Sequence, residues 1–260
     1  MKVRIASDIH LEHYISGQIL PDLGSGEILL LVGDILCARH LKTRGYFNDI
    51  YTKFIDDCSK NFERVIYVAG NHESYGENYE RTYIKLRENL PGNFHLLENE
   101  TVKINDINFI GFTLWTNFFN EDPFQMMDAK RCMSDYNTIT ITNKYRKLFP
   151  EDTLNFHKRS IEYLKSELER MKNERVFVVS HHAPSLQCIA PAYKNSNLNG
   201  SFCSDLDELI LAHPQIKNWA YGHMHTCNDF YVGECRVTCN PRGYPQENTG
   251  FDPNFEIEVL

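Results

Sequence analysis

The sequence has no run of 18 apolar residues, so it offers no candidate for a membrane-spanning helix. It also lacks an excess of basic residues: 27 Lys and Arg stand against 35 Asp and Glu, for a net charge of -8. A protein that grips nucleic acid without sequence preference needs a positive face, which disfavours that class. Cysteine is present without a pattern. None of the eight cysteines forms a CxxC spacing, and the closest pair, Cys235 and Cys239, is four apart. That argues against a structural zinc site and a small disulfide scaffold, and reduced, mostly buried thiols are expected. Repeats, heptads and low-complexity tails are missing as well. The opening MKVRIASDIH is too polar for a secretory core and reads as a first strand, so a cytoplasmic protein is expected.

Apolar residues make up 42% of the chain, enough for a sizeable core, and 260 residues suit one large domain or two small ones. Short apolar runs at 3–6, 28–32, 65–69, 109–111, 176–179 and 219–221 read as buried strands. Further strands are expected at 100–104, 230–232, 236–238 and 255–259. Phe47, Ile50, Tyr51, Phe54, Ile55 and Cys58 recur at helical spacing. Leu154, Ile161, Leu164, Leu168 and Met171 do the same on a longer helix ending near Lys172. Ser204 with Asp207 resembles a capping-box start. Early strand–helix–strand alternation implies parallel pairing, and the closer strands later imply a second, more antiparallel or mixed sheet. The stretch 117–152 looks irregular, polar and aromatic at once, and reads as an insert or lid.

Chemistry collects where the apolar runs stop. They end in Ser7-Asp8-Ile9-His10, Gly33-Asp34, Gly70-Asn71-His72-Glu73, Ser180-His181-His182 and Gly222-His223-Met224-His225. Ligands of open α/β sheets gather at the carboxyl ends of strands. In Asp8-Ile9-His10 and His223-Met224-His225 the outer residues are two apart and face the same way on an extended segment. Asp8, His10, Asp34, Asn71, His181, His223 and His225 make seven oxygen and imidazole donors. A single catalytic zinc takes three, so the set fits two divalent ions, with Mn, Fe or Zn the best match. Asp34 has two oxygens and is able to bridge them.

At these motifs the sequence resembles the calcineurin-like metallophosphoesterases, from Asp8 to His225. The resemblance implies a single four-layer α/β/β/α sandwich of two mixed sheets flanked by helices, over residues 1–260. It implies Asp8, His10 and His225 on one metal, Asn71, His181 and His223 on a second, and Asp34 between them. His72 matches the family residue that stabilises phosphoryl oxygens or protonates the leaving group. The second motif, often GDxxD, carries Cys37 where the later acid usually orients a neighbouring histidine. His182 is expected to line the pocket.

Gly111-Phe112-Thr113-Leu114-Trp115 and Asn240-Pro241-Arg242-Gly243-Tyr244-Pro245 resemble a subgroup of small bacterial and phage-type phosphoesterases. Arg242 is a candidate phosphate clamp. The expected reaction is hydrolysis of a phosphomonoester or phosphodiester of a small molecule or nucleotide. A hydroxide bridging the two metals would attack, with Asp34 and His72 as catalytic residues. The alternatives are a nuclease, hinted at by Lys144, Arg146 and Lys147, and a non-catalytic metal-binding scaffold. No membrane partner is expected, and monomer and homodimer are both open.

Overall fold

The computed structural model describes residues 1–141 and 146–259, and in it the apolar runs become strands. The chain opens with β1 (Lys2–Ala6), β2 (Gly26–Val32), helix α1 (Tyr46–Asn61), β3 (Phe62–Val68), helix α2 (Tyr79–Asn89) and β4 (Phe94–Leu96). Next come β5 (Glu100–Ile104) and β6 (Ile107–Phe112). Three short helices follow, α3 (Phe118–Glu121), α4 (Pro123–Cys132) and α5 (Asp135–Thr138), then β7 (Thr140–Ile141) and β8 (Arg146–Lys147). Helix α6 (Pro150–Arg170), β9 (Arg175–Ser180), helix α7 (Asp207–Ala212) and β10 (Ile216–Tyr221) lead to the last strands. These are β11 (Asn228–Val232), β12 (Cys235–Cys239) and β13 (Glu256–Glu258).

Two large sheets result, ordered β13-β1-β2-β3-β4 and β11-β12-β10-β9-β6-β5. In the first, β1 to β4 run parallel and only β13 is antiparallel. The second is parallel through β12, β10, β9 and β6, with antiparallel β11 and β5 at its edges. It is therefore mixed, as expected, and its antiparallel pairing is confined to the rims.

Strand alternation builds the layers. Ile28, Leu30 and Val32 of β2 face the second sheet and pack with Phe109, Phe177, Val179 and Ala220. Leu29 and Leu31 face the other way, into a core shared with Tyr51, Phe54 and Cys58 of α1. On the far side, Ile110, Val178 and Trp219 pack with Leu164 and Leu168 of α6. Strands buried on both faces read as continuous apolar runs, which is why they stood out in the sequence. The architecture is the expected four-layer sandwich of two mixed sheets between helices.

Several local expectations need correction. The stretch at 117–152 is mostly structured: α3, α4, α5 and the β7–β8 ribbon enclose Phe118, Ala129, Tyr136, Ile139 and Ile141, packed with Trp115 and Leu154. Most of its described polar residues lie outside a small private core, which hid the regularity. Ser204 does not cap a helix, because α7 begins at Asp207 with Leu206 as its capping residue. The Ser204 hydroxyl instead accepts the Asn117 N–H at 3.3 Å. Helix α2 escaped notice because it buries only Tyr79, Thr82 and Leu86, a narrow face on a polar helix.

The polypeptide leaving β6 is strained. Leu114, Trp115 and all four residues of α3 have positive φ, from 50° to 71°, so α3 is a left-handed turn. His157 of α6 holds it, since its Nδ1–H donates to the Leu114 carbonyl at 3.2 Å. Burial pushes the His157 imidazole down to about 4 from an ordinary 6.5. The unfolded chain takes up a proton near pH 6.5 while the folded chain declines it until about pH 4. This group's stabilisation is complete above pH 6.5 and disappears as pH falls toward 4, a loss on the order of 3 kcal/mol. A His157→Gln variant should show a shallower fall of urea midpoint across that window than the unsubstituted chain. Identical slopes would refute the assignment.

Candidate metal centre and active site

Parallel strands bring their carboxyl ends to one edge of a sheet. β1, β2 and β3 of the first sheet and β9 and β10 of the second each release their chain just before a motif from the sequence. The loops are tied together before any ligand is considered. Asp8 N–H donates to the Gly33 carbonyl and His10 N–H to the Asp34 carbonyl, both at 2.9 Å. Gly222 N–H donates to His181 O at 2.9 Å, and Arg242 and Gly243 donate to Ser7 O and Asp8 O at the same distance. The 240–243 segment thus stitches the second sheet to the first.

Five of the seven candidate donors, Asp8, His10, Asp34, His223 and His225, sit at positive φ between 46° and 67°. Such strain persists only where the surroundings over-determine it, and it clusters at functional sites. Gly33 shows how tight the fit is. A Cβ there would lie 2.3 Å from Nδ1 of His181, on a backbone at φ +83°.

The side chains converge in two groups. Asp8, His10 and His225 offer ligand atoms within 4.8 Å of one another, and so do Asp34, His181 and His223. Asn71 joins the second through its Oδ1, 3.1 Å from His181 Nε2. Asp34 Oδ2 is 3.4 Å from His181 Nε2 and 3.9 Å from His10 Nε2, which puts it between the groups.

The donor chemistry fits divalent cations on two observations. His10 Nδ1 is 3.0 Å from Glu12, and His225 Nδ1 is 2.6 Å from Glu247. Carboxylates accept, so each Nδ1 carries a proton and the two Nε2 atoms face each other 3.1 Å apart. One proton fits between them, and a cation would take its place. In the second group, His223 Nε2 is buried without a hydrogen-bond partner among the described residues. His181 is oriented in the same way, because its Nδ1–H donates to Val32 O at 2.9 Å and turns Nε2 toward Asn71 and Asp34.

Several supporting residues were missed in the sequence. Glu12 Oε1 accepts from Nδ1 of both His10, at 3.0 Å, and His72, at 2.8 Å. It orients His72 from the first loop, where the family motif places an acid at the position of Cys37. The signal was present as Asp8-x-His10-x-Glu12, one further alternate residue. Glu73 takes the N–H groups of Asp34, Ile35 and Gly70 at 2.7–3.0 Å and the Tyr67 hydroxyl at 2.6 Å. Burial, then the neighbouring Asp34 charge, push its carboxyl up to about 7.

Asn71 is steadied through the segment after β6. Its Nδ2 donates to the Tyr75 hydroxyl at 3.2 Å, and that hydroxyl donates to Asp135 of α5 at 3.2 Å. Long-range contacts like these leave no trace in sequence spacing.

His72 stands beside the two groups. Its backbone N–H donates to Asp34 Oδ1 at 2.8 Å, its ring stacks on Tyr75, and Nε2 lies 3.4 Å from the Tyr244 hydroxyl. Burial lowers its basicity, but the Asp34 and Glu12 charges outweigh burial and bring it up to about 9.

Two sequence candidates lie apart from this cluster's open side. His182 is buried behind His223, its Nδ1–H donating to Thr113 O at 3.2 Å, and burial drives it down to about 3. Arg242 turns toward Tyr14 and Pro245 in a separate small cavity, where it donates to the Tyr244 carbonyl at 3.4 Å and bonds the Tyr14 hydroxyl.

Two sheets that deliver such donors to one edge mark the metallophosphoesterase class. The chain belongs to the calcineurin-like phosphoesterases, whose family model matches residues 1–227. It is 29% identical over 286 residues to the uncharacterized protein L509 of Acanthamoeba polyphaga mimivirus, spanning 99% of this chain and 96% of that protein. Among solved structures it resembles the phosphopantetheinyl hydrolase PptH of Mycobacterium tuberculosis. The TM-score is 0.64 at 16% identity, over 94% of this chain and 90% of that one. A Staphylococcus aureus protein named as a putative 5'-nucleotidase, solved with alpha-ketoglutarate, gives 0.53 at 16% identity. That match covers 93% of this chain but only 49% of the other. Both likenesses concern the fold.

Without a cation, protons serve in its place. Burial lowers His181 and His225, but hydrogen bonds and charges from Asp34 and Asp8 prevail, taking them up to about 10 and about 9. Both imidazoles are therefore protonated at pH 7.5 in the metal-free chain and must be neutral to coordinate. Titrating Mn(II) into metal-free protein at pH 7.5, in buffers of differing ionisation enthalpy, should reveal release of about two protons. Metal uptake with no proton release would contradict this arrangement.

Proposed function

We propose that this metal-dependent phosphoesterase holds two divalent ions and hydrolyses a phosphomonoester or phosphodiester of a small molecule or nucleotide. The observation that carries the proposal is the pair of donor groups sharing Asp34, with His72 beside them. Asp8, His10 and His225 would hold one ion, Asn71, His181 and His223 the other, and Asp34 both. When bound, the ions would supply positive charge that acidifies water into a nucleophile and neutralises phosphoryl oxygens.

The protein's own groups supply the rest. Glu12 keeps the His72 proton on Nδ1, so a second proton resides on Nε2, the atom toward Tyr244. That proton is available to the departing oxygen, or as a charge-assisted hydrogen bond to the phosphoryl group. The His72 N–H on Asp34 Oδ1 fixes the distance between the acid and the metal donors.

The nuclease alternative loses support at Arg146, which is spent on a bidentate pair with Asp152 at 2.6 and 2.8 Å. Lys144 lies outside the described residues. A non-catalytic scaffold has no use for a protonated histidine that a carboxylate orients beside the donor groups.

With Mn(II) and a chromogenic phosphodiester or monoester, His72→Ala should lower kcat about 10²–10⁴-fold while metal content stays unchanged. Asp34→Ala should lose both metal and activity. A two-metal protein inert toward every ester would defeat the proposal. Glu12→Ala should lower kcat about 10–100-fold with a smaller change in KM. Because Cys37 and Glu12 line the same cavity, adding Cys37→Asp to that variant should recover part of the loss. No recovery would show that position 37 cannot reach His72.

A further inference from the structure

Beside His72 opens a cavity of about 550 Å³, within the range that takes a small-molecule ligand. Its lining runs from His72, Tyr75 and Tyr244 to Arg39 and His40, with Ser134 and Thr138 from the segment after β6 on one wall. Arg39 was singled out by nothing in the sequence.

The Arg39 side chain is exposed on this cavity and its guanidinium is tethered on one side. Its Nε donates to His40 Nε2 at 2.9 Å, and the His40 ring rests 4.8 Å from that of Phe47. One terminal nitrogen lies over Gly76, where a Cβ would come within 2.4 Å of it and where φ is +71°. Gly76 therefore keeps the space that the arginine fills. Nearby acids are otherwise engaged: Glu12 with His10 and His72, and Glu77 with Lys85. The two terminal nitrogens remain as a fork that matches two oxygens of a phosphate.

Position follows from the chain. Gly76 is four residues beyond His72, and the intervening segment starts with the 3-10 turn His72–Ser74. Such a path sets Arg39 on the order of 8–14 Å from the reacting centre. The half-buried rings of Tyr75 and Tyr244 line the same cavity, both against His72. The site therefore offers a proton donor, aromatic faces and a cationic fork.

We propose that this cavity is a leaving-group subsite for phosphate esters whose departing part carries an aromatic ring and a second phosphate, which Arg39 binds. The proposal rests on the phosphoesterase reading and names its substrate class. The departing part keeps its second phosphate, and water adds to the phosphorus of the first, so the balance is that of ordinary hydrolysis.

The test compares adenosine 3′,5′-bisphosphate with adenosine 3′- and 5′-monophosphate on Mn(II)-loaded protein, following released inorganic phosphate. The expected kcat/KM ratio of bisphosphate to the better monophosphate is about ten or more, carried in KM. In Arg39→Gln that ratio should fall about tenfold, and Arg39→Lys, which keeps the charge but not the fork, should fall between. Equal ratios in the unsubstituted protein and Arg39→Gln would overturn the subsite while leaving the phosphoesterase reading intact. Failure to release phosphate from any ester would instead count against that reading. In that event, calorimetric titration with adenosine 3′,5′-bisphosphate still decides the subsite: binding weakened about tenfold in Arg39→Gln supports it, and unchanged or absent binding removes it.

Discussion

Two imidazole nitrogens, Nε2 of His10 and Nε2 of His225, face one another at 3.1 Å, each ring with its Nδ1 proton committed to the far side. Glu12 and Glu247 impose that placement on His10 and His225, which leaves between the rings a position for one proton or, as proposed, a cation. The surrounding structure keeps it in being. Five of the candidate donors take left-handed backbone conformations, carboxylates are buried, and N–H groups from neighbouring loops hold Asp8 and Asp34 in place. Such an arrangement is costly in itself. The continuous apolar layers on both faces of both sheets supply the compensating burial, which is why the site sits on the most regular part of the fold.

This division explains what the sequence made legible. Strands buried on both faces announce themselves as apolar runs, and parallel strands deliver chemistry at their carboxyl ends. Asp8, Asp34, Asn71, His181 and His223 could thus be found by walking to the end of each run. Residues that act through other residues carry no such mark. Glu247 reaches His225 from an exposed loop, and Asp135 reaches Asn71 only through the Tyr75 hydroxyl. Arg242 lay in a suggestive motif, but the motif's backbone is what matters, since its N–H groups fasten the end of the second sheet to Ser7 and Asp8.

The segment between β6 and α6 illustrates a different limit. Aromatic and polar residues mix there because the segment has an inside and an outside over only a few turns. Its inside joins Trp115 and Leu154, and its edge reaches the candidate donor Asn71 through Asp135 and the Tyr75 hydroxyl. It buttresses the centre and forms one wall of the neighbouring cavity at Ser134 and Thr138. Both roles are static and depend on packing.

The antiparallel pairing of β13 with β1 has a consequence for how the molecule is made. Lys2 and Glu256 lie 254 positions apart yet meet across neighbouring strands. On the ribosome, Asp8, His10, Asp34 and Asn71 emerge while His223, His225 and Glu247 are still unsynthesised. For most of its translation the nascent chain carries part of the candidate donor set and an uncovered sheet edge. Closure of such distant pairings is slow, so assembly waits on the last strands. A cation captured early would find only the donors of the first sheet.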